Sequence, residues 1–576
     1  MTRVAFVLAL LASACANEPT AVPHTGTTIY NAETILTMQR GAETAEAVAV
    51  RDGMIVAVGS FSDLTAAYPG AALDDTFADH VITPGLIDPH MHVMLGGLMY
   101  AQPFATPWPM AMPGGASKGY PTRTAFLERL QEIVGDAPVG DEPIFVYGYH
   151  NLIQGDLTRA DLDTIVSDRP IFVWHYSGHD FYLNSQALDM IGATPALHDT
   201  YEGIGLDETS ALNGRIFEDA IPVLLAEIGP YLFDPDSIAE GLERYFTILR
   251  EAGVTTTADL GYGIFGRSLE NQIMSANWTL KENNFRLYLV PEFRALASEF
   301  GENGPSAVAQ MAKGEIETPA PVLPRVKFFT DAAFYSQTMR LSPPGYLSGQ
   351  SKDTEGLWVL EPEEIAPTIQ PYWDRGFAVH IHSNGDAAQD ATLAALSSLR
   401  ETNPDADFVI EHGGLFSPQQ VREAGDLGTI VSAASHYVYF LSGAYADPLG
   451  PARANWISPL GSLSAAGVAV TLHSDAPLAP PQPLRAAGAH ITRITREGTP
   501  YASAQALQPY DALEAITLDA ARALGLADEI GSIEPGKRAD FTILSANPLE
   551  TEGSQWASIG VWGVVLGGEK RPIVRE

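Results

Sequence analysis

Two histidines one residue apart close an apolar stretch, Thr83-Pro-Gly-Leu-Ile-Asp88-Pro-His90-Met-His92. Residues two apart on a strand share a face, so His90 and His92 can bind one metal ion together. Further along, Arg325-Val-Lys327-Phe-Phe-Thr-Asp331 sets a lysine among apolar strand residues. An unpaired buried ammonium is costly. Burial therefore lowers its pKa and makes the neutral amine available, and a neutral amine can add CO2 to become a carbamate whose two oxygens bridge two cations. Three more apolar runs end in polar chemistry: Val379-His380-Ile381-His382 with Asp386 beyond, Val409-Ile410-Glu411-His412, and Thr471-Leu-His473-Ser474-Asp475. His380 and His382 share a face, so either could serve as a ligand, and His473 stands as near the last strand end as Asp475.

These groups need a frame that brings distant strand ends together. Eight strand-like runs fall at 81–87, 254–259, 285–291, 325–330, 377–382, 408–411, 428–433 and 468–472, with amphipathic stretches between them. One such stretch, 237–251, puts Ile238, Leu242, Tyr245 and Leu249 on one helical face with Asp236 as its expected N-cap. Eight parallel strands with helical crossovers predict an α/β fold, a (β/α)8 TIM-like barrel over 81–525, whose chemistry sits at the C-terminal strand ends. Most spacings fit a unit of ~31 residues, but the first crossover is far too long. The excess, about 95–235, reads as an insertion with its own strands at 144–147 and 171–174. Both chain ends are β-rich, so 27–80 and 526–576 are expected to form one small composite β-sandwich domain.

The order His-x-His, Lys, His, His, Asp along strands 1, 4, 5, 6 and 8 resembles the metal-dependent amidohydrolase superfamily, and within it the branch that includes N-substituted formamide deformylase. Pro84-Gly85-Leu86-Ile87-Asp88, Tyr176-Ser177-Gly178-His179, Ser336-Gln337-Thr338-Met339 and the tail from Gly531 to Asp540 add to the likeness. The resemblance implies two divalent metal ions, with zinc suited to imidazole and carboxylate ligands. It implies that His90, His92 and Asp475 hold the more buried ion, that His382 and His412 hold the second, and that carbamylated Lys327 bridges them. His382 is preferred to His380 because the family ligand stands directly before x-x-Gly-Asp. Asp475 would also be the general base, and His179, on the insertion, a substrate-binding group. His473 and Asp386 are expected to support rather than ligate; His150, His175, His436, His490 and Asp259 are given no role.

The expected reaction is hydrolysis of a C–N, amide-type bond in a small molecule. A mononuclear deaminase, an esterase or lactonase, and a non-catalytic ligand-binding envelope lipoprotein remain as alternatives. Two other motifs carry little. Gly261-Tyr-Gly263-Ile-Phe-Gly266 fits a dinucleotide fingerprint, but reads as a barrel loop in a chain with 52 glycines. Gly115-Ala-Ser117-Lys-Gly119 matches a nucleophile elbow without the strand and helix such an elbow needs.

The 576 residues carry 33 Lys+Arg against 70 Asp+Glu, a formal charge of −37. Such a surface repels phosphate backbones and excludes nucleic-acid binding. Cys15 is the one cysteine, so an internal disulfide or a CxxC site is excluded. Arg3, a short apolar run and Ala12-Ser-Ala-Cys15 resemble a secretory signal ending in a lipobox, 1–15, with Cys15 lipidated and 16–26 a tether. That implies a cell-envelope or periplasmic protein, an outer-membrane lipoprotein of a Gram-negative bacterium, that meets the membrane only through its lipid anchor. The oligomeric state, homo-oligomer or monomer, stays open.

Overall fold

The structure, a computed structural model, describes residues 26–574; the signal segment and Cys15 lie outside them. Eight parallel strands form the frame: β1 (Leu86–Met91), β2 (Val254–Tyr262), β3 (Arg286–Pro291), β4 (Arg325–Phe329), β5 (Ala378–Ser383), β6 (Phe408–His412), β7 (Ile430–Ala434) and β8 (Ala469–His473). They lie in a three-stranded sheet, order β3-β2-β1, and a five-stranded sheet, order β4-β5-β6-β7-β8. Single parallel bridges, Glu292–Lys327 and Met91–Ala476, link the outer strands of the two sheets. All eight are buried along most of their length, as expected of strands covered on both faces.

The run at 81–87 does not form one strand. Its first half ends the strand Ala72–Pro84, where Val81–Pro84 pairs antiparallel with Phe541–Leu544. The chain then turns at Gly85, and β1 starts at Leu86. Glycine is required there because a Cβ would fall 2.0 Å from Thr255 Oγ1. Both chain ends meet in one seven-stranded sheet that joins Thr27–Leu36, Thr44–Arg51, Met54–Gly59 and Ala72–Pro84 to Phe541–Leu544, Val561–Leu566 and Glu569–Pro572. Between β1 and β2 the chain builds a separate five-stranded sheet from Ile144–Tyr149, Ile171–His175, Asp180–Leu183, Ile204–Leu206 and Leu212–Phe217.

The amphipathic stretch is the helix Pro235–Glu251, with Ile238, Leu242, Tyr245 and Leu249 buried. Its N-cap is Asp234, not Asp236: Asp234 accepts the Ser237 N–H at 2.9 Å, and Pro235 takes the first helical position, where no N–H is needed. This helix lies on Val93–Tyr100, the helix that leaves β1, so closely that a Cβ on Gly241 would sit 1.9 Å from the Gly97 carbonyl oxygen. Tyr245 donates to the Ala476 carbonyl at 3.1 Å. The packing thus fixes the segments after both His92 and Asp475. Among the described residues no helix is long and apolar enough to cross a membrane.

Candidate metal centre

His90 lies in β1, and His92 is the first residue beyond it, still extended at φ −130° and ψ 107°. The strand alternation therefore carries past the strand end, and the two rings sit with centroids 5.1 Å apart. His92 Nε2 approaches Asp475 Oδ1 at 3.1 Å, and His90 Nε2 is 3.5 Å from the same oxygen. His412 Nδ1 stands 3.7 Å from Asp475 Oδ2. His412 and Asp475 both adopt left-handed backbone, φ 70° and 53°. Such conformations cost non-glycine residues ~1–3 kcal/mol and gather where function requires them.

Ligand atoms of His90, His412, His473 and Asp475 lie within 4.8 Å of one another, all four residues buried. His473 thus stands inside the cluster rather than behind it, its ring stacked on His90 at 4.4 Å. The His382 ring packs 4.4 Å from His412. The Ala332 carbonyl accepts from His382 Nε2 at 3.1 Å, which leaves Nδ1 as the lone-pair nitrogen. Lys327 is buried in β4 and its Nζ has no hydrogen-bond partner. Burial pulls its pKa down to about 8 against the pull of Glu411, Asp475 and Glu292.

Two acids without a role in the sequence reading stand beside these rings. Glu411 in β6 is buried and takes hydrogen bonds from His90 Nδ1 at 2.8 Å and His380 Nδ1 at 2.6 Å. Burial opposes its charge, yet the two imidazoles hold its pKa well below the usual range. His90 is kept neutral by burial and the nearby Lys327, so its Nδ1 donates to Glu411 and its Nε2 faces inward bare. His380 donates its Nδ1 to the same carboxylate as His90 does, and its Nε2 is likewise buried without a hydrogen-bond partner. Asp259 in β2 plays the matching part for His92. It anchors the Val93 and Gly261 amides at 3.0 and 2.8 Å and faces His92 Nδ1 at 3.9 Å. Burial would lower the His92 pKa, but Asp259 and Asp475 raise it to about 9. No local pattern marks either acid, because each meets a histidine that another strand carries.

The glycine motif at 261–266 serves the same histidine. A Cβ on Gly261 would lie 2.8 Å from His92 Nδ1. The amides of Gly263 and Phe265 already donate to the Glu270 carboxylate, so the turn holds an acid of this chain where a phosphate would sit. Ser117 accepts from the Met110 amide in a short hairpin, a structural contact. Asp386 pairs with Arg453 and accepts from the Ser342 amide. His150, His175, His436 and His490 are all buried.

A cavity of about 110 Å³ opens on this cluster, lined by His92, Lys327, His382, His412 and Asp475 and by His179, Tyr335 and Tyr437. His179 pairs with Glu218 at 3.1 Å. Gly178 and His179 also line a second cavity of about 1140 Å³, so the two spaces adjoin.

The donor set is of the kind that holds a divalent metal. His90 Nε2, His412 Nδ1, both His473 nitrogens, Lys327 Nζ and Asp475 Oδ1 are buried without hydrogen-bond partners. Buried polar atoms are costly unless satisfied, and convergent imidazole and carboxylate donors suit zinc-like cations. The set fits.

The chain belongs to the Amidohydrolase family, which residues 78–570 match. It is 28% identical over 550 residues to the protein LONG AFTER FAR-RED 3 of Arabidopsis thaliana, covering 93% of this chain and 90% of that one. It is 25% identical over 541 residues to the N-substituted formamide deformylase of Arthrobacter pascens, covering 92% and 95%. An uncharacterized metal-dependent hydrolase from Pyrococcus horikoshii shares its fold, with a TM-score of 0.67 and 20% identity, covering 92% of this chain and 99% of that one. The α/β architecture is that of these relatives, and the protein is a hydrolase of this family.

Proposed function

We propose that this hydrolase cleaves a C–N, amide-type bond with a metal-activated hydroxide, and that Asp475 is its general base. The observation that carries the reading is the group of buried, unpartnered donor atoms on His90, His412, Lys327 and Asp475 beside one small cavity. In this reading β1 to β8 close as a (β/α)8 barrel over 81–525, with 95–235 inserted and the two chain ends forming the composite β-domain.

His90, His92 and Asp475 would hold one divalent ion and His382 and His412 a second, with Lys327 as a carbamate between them. Zinc suits these donors. When bound, such ions bring the pKa of a water to near neutral and polarise a carbonyl. Asp475 touches His92 on one side and the cavity on the other. It takes the proton as the hydroxide attacks and passes it to the leaving amine. The site cavity has room for a small acyl group, and the adjoining space beyond His179 for a larger amine substituent. That division supports an N-substituted formamide or a short-chain amide as substrate.

A one-metal site is the second reading, favoured by the close convergence of His90, His412, His473 and Asp475 without His382. Elemental analysis beside kinetics on N-substituted formamides separates the two. Two metals per chain, loss of one with most activity in Lys327→Ala, and partial rescue by a short carboxylic acid are expected. One metal and full activity in Lys327→Ala would establish the one-metal reading.

Cys15 supports an envelope location through lipid attachment. Fractionation of wild type and Cys15→Ala should find the first in the membrane fraction and the second released from it. Both remaining in the cytosol at full length would overturn the location.

A further inference from the structure

Among the residues that line the site cavity, four side-chain atoms are buried without a hydrogen-bond partner: Lys327 Nζ, His412 Nδ1, Asp475 Oδ1 and the Tyr335 hydroxyl. The first three belong to the proposed metal set. Tyr335 does not. We propose that the Tyr335 hydroxyl is a catalytic hydrogen-bond donor to the carbonyl oxygen of the bound substrate and to the oxyanion that oxygen becomes. The proposal rests on the hydrolase reading above.

Tyr335 is 2% exposed and lies six residues beyond the end of β4, on the strand-end side that carries the donor cluster. Its ring cannot swing out to water. It stacks on His436 with centroids 4.8 Å apart and 23° between planes, and Tyr437 and Tyr176 flank it at 5.6 and 5.5 Å. Its backbone carbonyl accepts the Tyr445 hydroxyl, which pins the loop. Tyr437, the other phenol on the cavity, already bonds the Asn384 side chain. The remaining unpartnered tyrosine hydroxyls, on Tyr100, Tyr501 and Tyr510, lie outside the cavity.

A buried hydroxyl with no partner costs ~1–3 kcal/mol. Phenylalanine would fill the same volume without that cost, so the hydroxyl belongs to a bond made when the cavity is filled. A phenol is suited to the task because it donates without carrying charge. As the hydroxide oxygen bonds to the carbonyl carbon, the C=O pair moves onto oxygen and the Tyr335 O–H···O bond shortens without proton transfer. When the C–N bond breaks, that pair returns to re-form C=O, and the amine leaves with the proton carried by Asp475. Water is the only co-reactant. A donor aimed at the oxyanion acts mainly on the transition state.

The test is Tyr335→Phe in the intact metal-loaded protein, assayed on N-substituted formamides, other amides, esters and lactones. Metal content and a melting curve are measured in parallel. For any substrate the wild type hydrolyses, kcat should fall ~10²-fold, as for loss of one oxyanion donor, with KM moving far less. Metal content should be unchanged and the melting temperature equal or higher. A tetrahedral phosphonate mimic should lose far more affinity in the variant than the planar amide does. Unchanged kcat overturns the proposal, and so does a loss of kcat matched by lost metal or a lower melting temperature, which would make Tyr335 structural. A fully metallated wild type inactive on the whole panel overturns the hydrolase reading and Tyr335 with it. An active wild type with an equally active variant removes Tyr335 alone.

Discussion

The two adjoining cavities differ in how their polar groups are satisfied. In the large one, His179 pairs with Glu218 at 3.1 Å, Arg267 with Glu299 at 2.6 Å and Arg294 with Glu292 at 2.7 Å. Each lining charge has a partner. In the small one, His412 Nδ1 and Lys327 Nζ are buried without hydrogen-bond partners beside Asp475, which lies 3.1 Å from His92, and the backbone is left-handed at His412 and Asp475. Paired charges give a wall its shape and polarity. Unpaired buried donors have a cost that only a ligand removes. The contrast separates where chemistry occurs from where a substituent rests.

The largest break in that contrast is Asp475→Asn, which keeps the shape and an oxygen but removes the base. Steady-state kinetics should show kcat down by ~10²–10⁴-fold, while elemental analysis still finds metal at His382 and His412. A fully active, normally metallated variant would remove Asp475 as base. Glu411→Gln comes next. It weakens the orientation of His90 and His380, so metal affinity, read by competition with a chelator, should fall ~10–100-fold. The fold should hold, since glutamine keeps an acceptor for one of the two rings. Unchanged affinity would show that packing alone sets the His90 ring. The smallest effect belongs to the other wall. Arg267→Gln opens a partly exposed ion pair, worth ~0–1 kcal/mol by denaturant unfolding. Metal content should stay the same, and any kinetic change should appear in KM for bulky amine substituents rather than in kcat. A loss of metal there would dissolve the distinction between the two cavities.

Much of this site was legible in the chain because strand alternation and strand-end position are local properties. His90-x-His92, Lys327 and the Glu411-His412 pair announce themselves by residue type within apolar runs. What escaped was contact between strands. The role of Glu411 depends on β1 and β5 presenting His90 and His380 to it from either side. The role of Asp259 depends on β2 lying next to β1. The split of the run at 81–87 follows from a tail strand more than four hundred residues away that claims its first half.

Residue types and their spacing carry the family, the parallel strand-and-helix frame and the histidines, lysine and aspartate near the strand ends. These follow from short-range periodicity and from the cost of burying a charged or polar group without reason. Packing between strands sets which histidines converge, bringing His473 into the cluster and turning His380 toward Glu411. It also singled out Tyr335, whose sequence neighbours give no hint of an unpaired hydroxyl. Whether a buried polar atom has a partner depends on what other strands bring within about 3 Å of it, and no local pattern records that.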